Sequence, residues 1–131
     1  MLLTVDTSAL IAVIVDEPQR EMIVDLARGA DLIAPASVRW EVGNALSALL
    51  KRHRLTMGHA LEAIEVYERI PIRYTEVSLS GALQLVERFS IYAYDAYALQ
   101  CAQRFRTPLL SLDNRLVQIA HTLGIPTPEM K

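Results

Sequence analysis

Cysteine is almost missing: one residue, Cys101, in a chain of 131 leaves no disulfide framework and no CxxC zinc site. Glycine is sparse and scattered, at positions 29, 43, 58, 81 and 124. Neither a dinucleotide fingerprint nor a P-loop can be drawn from that spacing. Lysine is limited to Lys51 and Lys131. The three histidines, His53, His59 and His121, share no metal-ligand spacing and read as surface groups. No Ser/His/Asp order supports a nucleophilic triad. Long apolar runs are lacking as well. Near the start the longest is Ala9 to Val15, too short for a bilayer. The opening MLLTVDTSALIAVIV has no basic n-region and is interrupted by Asp6, so it does not read as a targeting segment. No repeat, low-complexity tract or linker is present.

What is there suits a buried core. Apolar residues make up 52% and charged residues 21%, which predicts one folded domain over 1–131 rather than disorder. The formal charge of -2 and a pI near 5.9 argue against a chain held on nucleic acid or membrane by bulk charge. The expectation is a soluble cytoplasmic protein with no membrane role. A mean hydropathy of +0.23 is high for so small a chain and predicts apolar surface facing another chain. Cys101 falls on an apolar helical face with Ala98, Ala102 and Phe105 and reads as core.

The periodicity alternates short strands with amphipathic helices. Strands are predicted at 2–6, 31–34, 72–75, 108–112 and, last and shortest, 124–127. Helices are predicted at 8–15, 18–28, 37–53, 56–70, 77–89, 95–106 and 114–122. Pro18 suits a first helical turn and Gly29 a helix stop. In the fourth helix Leu61, Ile64 and Tyr67 are assigned inward and the glutamates outward. The order predicts a parallel sheet covered on both faces, with any site beyond the carboxyl ends of the strands.

Acids gather at those ends. Asp6 ends the first strand, Asp113 the strand at 108–112, Asp95 opens the helix before it, and Glu41 lies in the first turn after the second strand. Each has a plain alternative. Asp95 and Asp113 stand where helix caps are expected, and Glu41 where a helix dipole favours an acid. Asp6 is harder to explain structurally, because Thr7 or Ser8 can cap the next helix and an acid closing an apolar strand is costly. Four carboxylates in one cleft need a cation, and an all-oxygen set suits Mg²⁺ or Mn²⁺.

The segments LTVDTSALIAVIVDEP, APASVRWEVGNAL, YAYDAYALQCA and LLSLDNRL, in that order, resemble the successive motifs of PIN-domain ribonucleases, most closely VapC-type toxins of toxin–antitoxin pairs. The resemblance spans essentially the whole chain. It implies a PIN-like α/β/α sandwich around a central parallel sheet of four to five short strands. It also implies that Asp6, Glu41, Asp95 and Asp113 are the acidic quartet, holding one or two Mg²⁺ (or Mn²⁺) ions for phosphodiester hydrolysis of RNA to a 5′-phosphate and a 3′-hydroxyl. Ser8 matches a supporting hydroxyl position and Asn44 a polar position beside the site. Ser111 stands where the family more often has threonine. Ser8 has the alternative of a helix-start hydroxyl, and Asn44 that of a bond within a helix pair.

Arg115, two residues after Asp113, is the candidate phosphate contact; arginine outnumbers lysine eleven to two. The basic run Lys51 to Arg54 reads equally as helix C-terminal charge. The resemblance further implies a homodimer and a cognate VapB-like antitoxin lying in an apolar groove. Leu10, Ile11, Ile14 and Val15 are candidates for core and groove together. Trp40, Tyr92, Tyr94 and Tyr97 are candidates for an interface or for stacking on RNA, against core packing. Rival readings are a PIN nuclease of RNA processing outside a toxin pair, a phosphoacceptor signalling domain, and a non-catalytic binding module. The phosphoacceptor reading is disfavoured by the lack of an acidic pair at the first strand end and of a lysine after a late strand.

Overall fold

The computed structural model describes residues 1–129. Its elements follow in the order β1 (Leu2–Val5), α1 (Thr7–Ile14), α2 (Arg20–Ala27), β2 (Asp31–Pro35), α3 (Val38–Lys51), α4 (Met57–Arg69), β3 (Ile72–Thr75), α5 (Leu79–Phe89), α6 (Ala93–Phe105), β4 (Leu109–Leu110) and α7 (Asn114–Thr122). All strand pairings are parallel, in the spatial order β3-β2-β1-β4. The direction of winding reverses between β1 and β4, and that reversal is where the acids lie.

Strand alternation builds the layers. Leu3 and Val5 point to one face, where they pack with Ala34, Leu110 and the helices α1 to α4. Thr4 points to the other, where its hydroxyl meets Thr107 at 2.6 Å and the Cys101 thiol at 3.6 Å. On that side Leu109 joins the apolar residues of α5, α6 and α7. The result is an α/β/α sandwich, and Cys101 is core as its helical face implied. The sheet is parallel, and β1, β4 and most of β2 are buried on both sides, which accounts for their apolar runs, while the edge strand β3 exposes Arg73 and Tyr74.

Several local expectations change. Residues 124–127 do not form a strand; Leu109 donates one bond to the Pro126 carbonyl at 2.9 Å, and Pro126 and Pro128 have no amide to continue a ladder. The sheet therefore has four strands among the described residues. Pro18 precedes α2 rather than starting it, with Gln19 at the cap position. Gly29 does follow α2, at φ +79, a conformation that costs glycine little. In α4 the inward residues are Ala60, Ala63 and Tyr67, while Leu61 is 55% exposed and Ile64 37%. The small alanines let α4 sit close to the core, so the larger apolar side chains form a second, outer stripe. Leu10, Ile11 and Ile14 are core, and only Val15 of that group is half-buried. Core packing fails for Trp40 (70% exposed) and Tyr92 (84% exposed). The three histidines are exposed, as expected.

Candidate active site

Backbone register brings the first pair of acids together. Val5 pairs with Leu110, so the residues that follow, Asp6 and Ser111, emerge side by side at the carboxyl end of the sheet. The Asp6 amide donates to the Leu110 carbonyl at 3.2 Å. Ser111 donates to Asp6 Oδ2 at 2.5 Å, and Ser8 donates to Oδ1 at 2.7 Å. Asp6 is itself the cap of α1, accepting from the Ala9 amide at 3.1 Å, so neither Thr7 nor Ser8 fills that role. Both supporting serines have a second bond: the Leu112 amide donates to Ser8 Oγ, and the Asp113 amide to Ser111 Oγ.

Asp113 caps α7 through Oδ1, which accepts from the Arg115 and Leu116 amides at 3.0 and 3.1 Å. The cap reading therefore holds for Asp113. It fails for Asp95, which lies within the first turn of α6; Tyr92 occupies the cap position and offers no side-chain bond. Glu41 sits in the first turn of α3, where Thr7 donates to Oε1 at 3.0 Å and Ser37 to Oε2 at 2.7 Å.

Three of the four carboxylates are raised, in part by charge from the others. Burial pushes the Asp6 carboxyl above its ordinary range; the Ser111 and Ser8 hydroxyls and the Ala9 amide oppose this, and the charge of Asp113 adds to it. Burial also raises Glu41, against Ser37 and Thr7, with Asp6 and Asp95 contributing. Asp95 is raised by burial and then by Asp113. Each acid stands at or within the first turn of a helix, α1, α3, α6 or α7, so four positive dipole ends converge on the cluster and offset part of its repulsion. Arginine does not. Among the described residues the ion pairs are Arg20–Asp16 and Arg28–Asp25, both exposed and neither involving these acids.

The donor set, carboxylates only, fits a hard divalent cation in chemistry. In their present positions no three of the chain's Asp, Glu, His or Cys side chains stand close enough to share an ion, among the described residues.

The remaining candidates are placed as follows. Asn44 is exposed one turn along α3 from Glu41, with no hydrogen bond to the other described residues. The Arg115 guanidinium is exposed and donates to the Phe89 carbonyl at 2.6 Å, tying α7 to the end of α5. Thr7 and Ser37 escaped sequence reasoning. Ser37 carried a signal in its four-residue spacing from Glu41, one helical turn. Thr7 carried none, because its partner is 34 residues away.

The sandwich, the winding reversal and the acids at the strand ends and first helical turns define a parallel α/β domain with carboxylates gathered at one end of its sheet. Residues 3–122 match the PIN domain family, and the chain belongs to it. The fold is similar to that of PAE2754 from Pyrobaculum aerophilum, at 19% identity and a TM-score of 0.69 over 90% of this chain and 78% of that one. It is similar to VapC20 of Mycobacterium tuberculosis, described as a sarcin-ricin loop cleaving toxin, at 14% identity and TM-score 0.63 over 89% and 94% of the two chains. It also resembles a chain of VapBC2 from Rickettsia felis, solved bound to a promoter DNA fragment, at 11% identity and TM-score 0.68 over 98% of each chain. No curated protein matches the sequence.

Proposed function

We propose that this chain is a divalent-metal-dependent endoribonuclease acting as the toxin of a toxin–antitoxin pair. The observation that carries the reading is the convergence of Asp6, Glu41, Asp95 and Asp113, from four segments of a PIN-family chain, with no arginine paired to them among the described residues. These four residues would hold Mg²⁺ or Mn²⁺. When bound, such an ion supplies charge stabilisation at the scissile phosphate and makes water nucleophilic near neutral pH. The chain's own part is to aim the donors. Ser8 and Ser111 fix both oxygens of Asp6, and the α7 amides fix Asp113. Asp113 is exposed and Asp95 half-buried, so a phosphodiester enters from their side of the cleft.

The toxin role is supported by the structural neighbours, which include toxin–antitoxin complexes. It is also supported by unburied apolar surface. A groove of about 350 Å³ between α3 and α4, bordered by Met57, Leu61 and Ile64, would receive an antitoxin segment or a second copy of the chain. No helix among the described residues is long and apolar enough to cross a membrane.

The test is cleavage of total RNA by purified protein with Mg²⁺, with Mn²⁺ and with EDTA, beside Asp95→Asn. Discrete products that require metal and vanish in the variant are expected. Intact RNA in every metal, from protein free of any bound partner, would overturn the nuclease reading. Failure to co-purify with the product of an adjacent small gene would overturn the toxin role alone.

A further inference from the structure

Glu41 is held on both oxygens by hydroxyls from different elements. Thr7 Oγ1 donates to Oε1 at 3.0 Å and Ser37 Oγ to Oε2 at 2.7 Å. Thr7 begins α1, directly after Asp6, so its bond spans from the joint that carries one acid to the helix that carries another. A glutamate has three side-chain torsions to choose among, and their freedom must be lost before the carboxylate can serve as a fixed ligand. Two donors on opposite oxygens remove most of it. A carboxylate offers about four lone-pair sites, so each oxygen still has one to give.

Ser37 shows that this is not ordinary helix chemistry. It stands at the N-cap position of α3 yet makes no capping bond, with φ -65 and ψ -20 rather than the extended backbone of a capping residue. Its hydroxyl goes to Glu41 instead. Thr7 shows the same preference in another form. A β-branched residue has a stiff χ1, so its hydroxyl is directed more firmly than that of serine.

From this geometry we infer that Thr7 and Ser37 are positioning residues, which fix the Glu41 carboxylate as a preformed arm of the divalent-cation site. The inference rests on the metal-dependent reading above. Neither residue touches substrate; both act through Glu41. Partners of this kind, which orient a ligand without being one, typically carry about 10- to 100-fold in metal affinity.

The experiment measures Mn²⁺ binding by the electron paramagnetic resonance of the free ion, for the wild type, Thr7→Val, Thr7→Ser, Ser37→Ala and Glu41→Gln. Thr7→Val keeps the shape and removes the donor. It is expected to raise the Mn²⁺ dissociation constant about 10-fold, with RNA cleavage recovering as Mn²⁺ is raised and KM for RNA unchanged. Thr7→Ser restores the donor and should bind within about 3-fold of wild type, a rescue that a packing role would not predict. Ser37→Ala reads the same property through the other oxygen and serves if Thr7→Val does not fold. A parallel arm in EDTA compares melting temperatures of Thr7→Val, Glu41→Ala and the double variant. Non-additive shifts are expected, because the two side chains share a bond.

Glu41→Gln binding Mn²⁺ weakly while Thr7→Val and Ser37→Ala bind as wild type would overturn the positioning role and leave the metal reading standing. Additive shifts in EDTA would overturn the tie itself. A wild type that binds no Mn²⁺ would overturn the metal reading, and the positioning role with it, whatever the EDTA arm returns.

Discussion

Asp6 and Glu41 accept five hydrogen bonds between them, four from hydroxyls, and Asp6 is only 7% exposed. Across the cleft Asp113 is exposed and held through one oxygen by backbone amides, and Asp95 meets no donor among the described residues. The two halves solve different problems. The inner half must keep charge out of water, so every oxygen is given a donor. The outer half lies nearer water: Asp113 is tied through Oδ1 alone, and Asp95 through neither oxygen.

The comparison is broken most directly from the outer half. Asp95→Asn should cut RNA cleavage by roughly 1,000-fold, since several kcal/mol of charge stabilisation is about three factors of ten in rate. Far-ultraviolet dichroism should stay as in wild type, because Asp95 anchors nothing. Full cleavage by the variant would mean that the reaction does not need the Asp95 carboxylate.

Ser111 sharpens the contrast, because it belongs to both halves. Its hydroxyl donates to Asp6 Oδ2 and accepts from the Asp113 amide, in a position 1% exposed. Ser111→Ala leaves a buried carboxylate oxygen and a half-buried amide without partners, which should cost about 1–3 kcal/mol in urea unfolding. A loss near zero would show that water enters and that the inner half is not sealed. Asp113 should behave differently. Asp113→Ala removes the α7 cap and should cost about 1 kcal/mol, whereas Asp113→Asn keeps a capping oxygen and should cost a few tenths at most. Equal losses for the two variants would assign the effect to charge rather than to the cap.

How much of this was legible in the sequence follows the same division. Asp6, Glu41, Asp95 and Asp113 were readable because strand ends and first helical turns are local features. So was the parallel sandwich, because βα alternation leaves few topologies. Boundaries erred where tertiary packing decides. Leu61 and Ile64 lie on the outer stripe of α4 because Ala60 and Ala63 make the closer approach, and periodicity alone cannot separate two adjacent apolar stripes. The strand expected at 124–127 failed on proline chemistry that was visible beforehand. The hydroxyls on Glu41 were only partly readable. Ser37 sits one helical turn away, but the Thr7 bond exists only once α1 and α3 are side by side.

The smallest expected effect uses Asp95→Asn again, now as a probe of stability. In EDTA at neutral pH the variant should be more stable than wild type by under about 1 kcal/mol, because it removes a half-buried charge facing Asp113 and loses no hydrogen bond. The pH dependence fixes the cause. The folded carboxyl binds its proton more tightly than the unfolded one, whose ordinary value is 3.8. Between 3.8 and the raised folded value the native state therefore holds more protons, and wild-type stability falls as pH rises through that window. Asparagine has no proton to lose. The variant's advantage should grow across the window, level off above it and vanish below 3.8, where both forms are neutral. Millimolar Mg²⁺ should then reverse the order, since an ion bound to the native state stabilises wild type by mass action and the variant far less. Melting curves of both proteins over pH, with EDTA and with Mg²⁺, carry the whole test. An advantage that stays constant down to acid pH would trace to packing rather than charge.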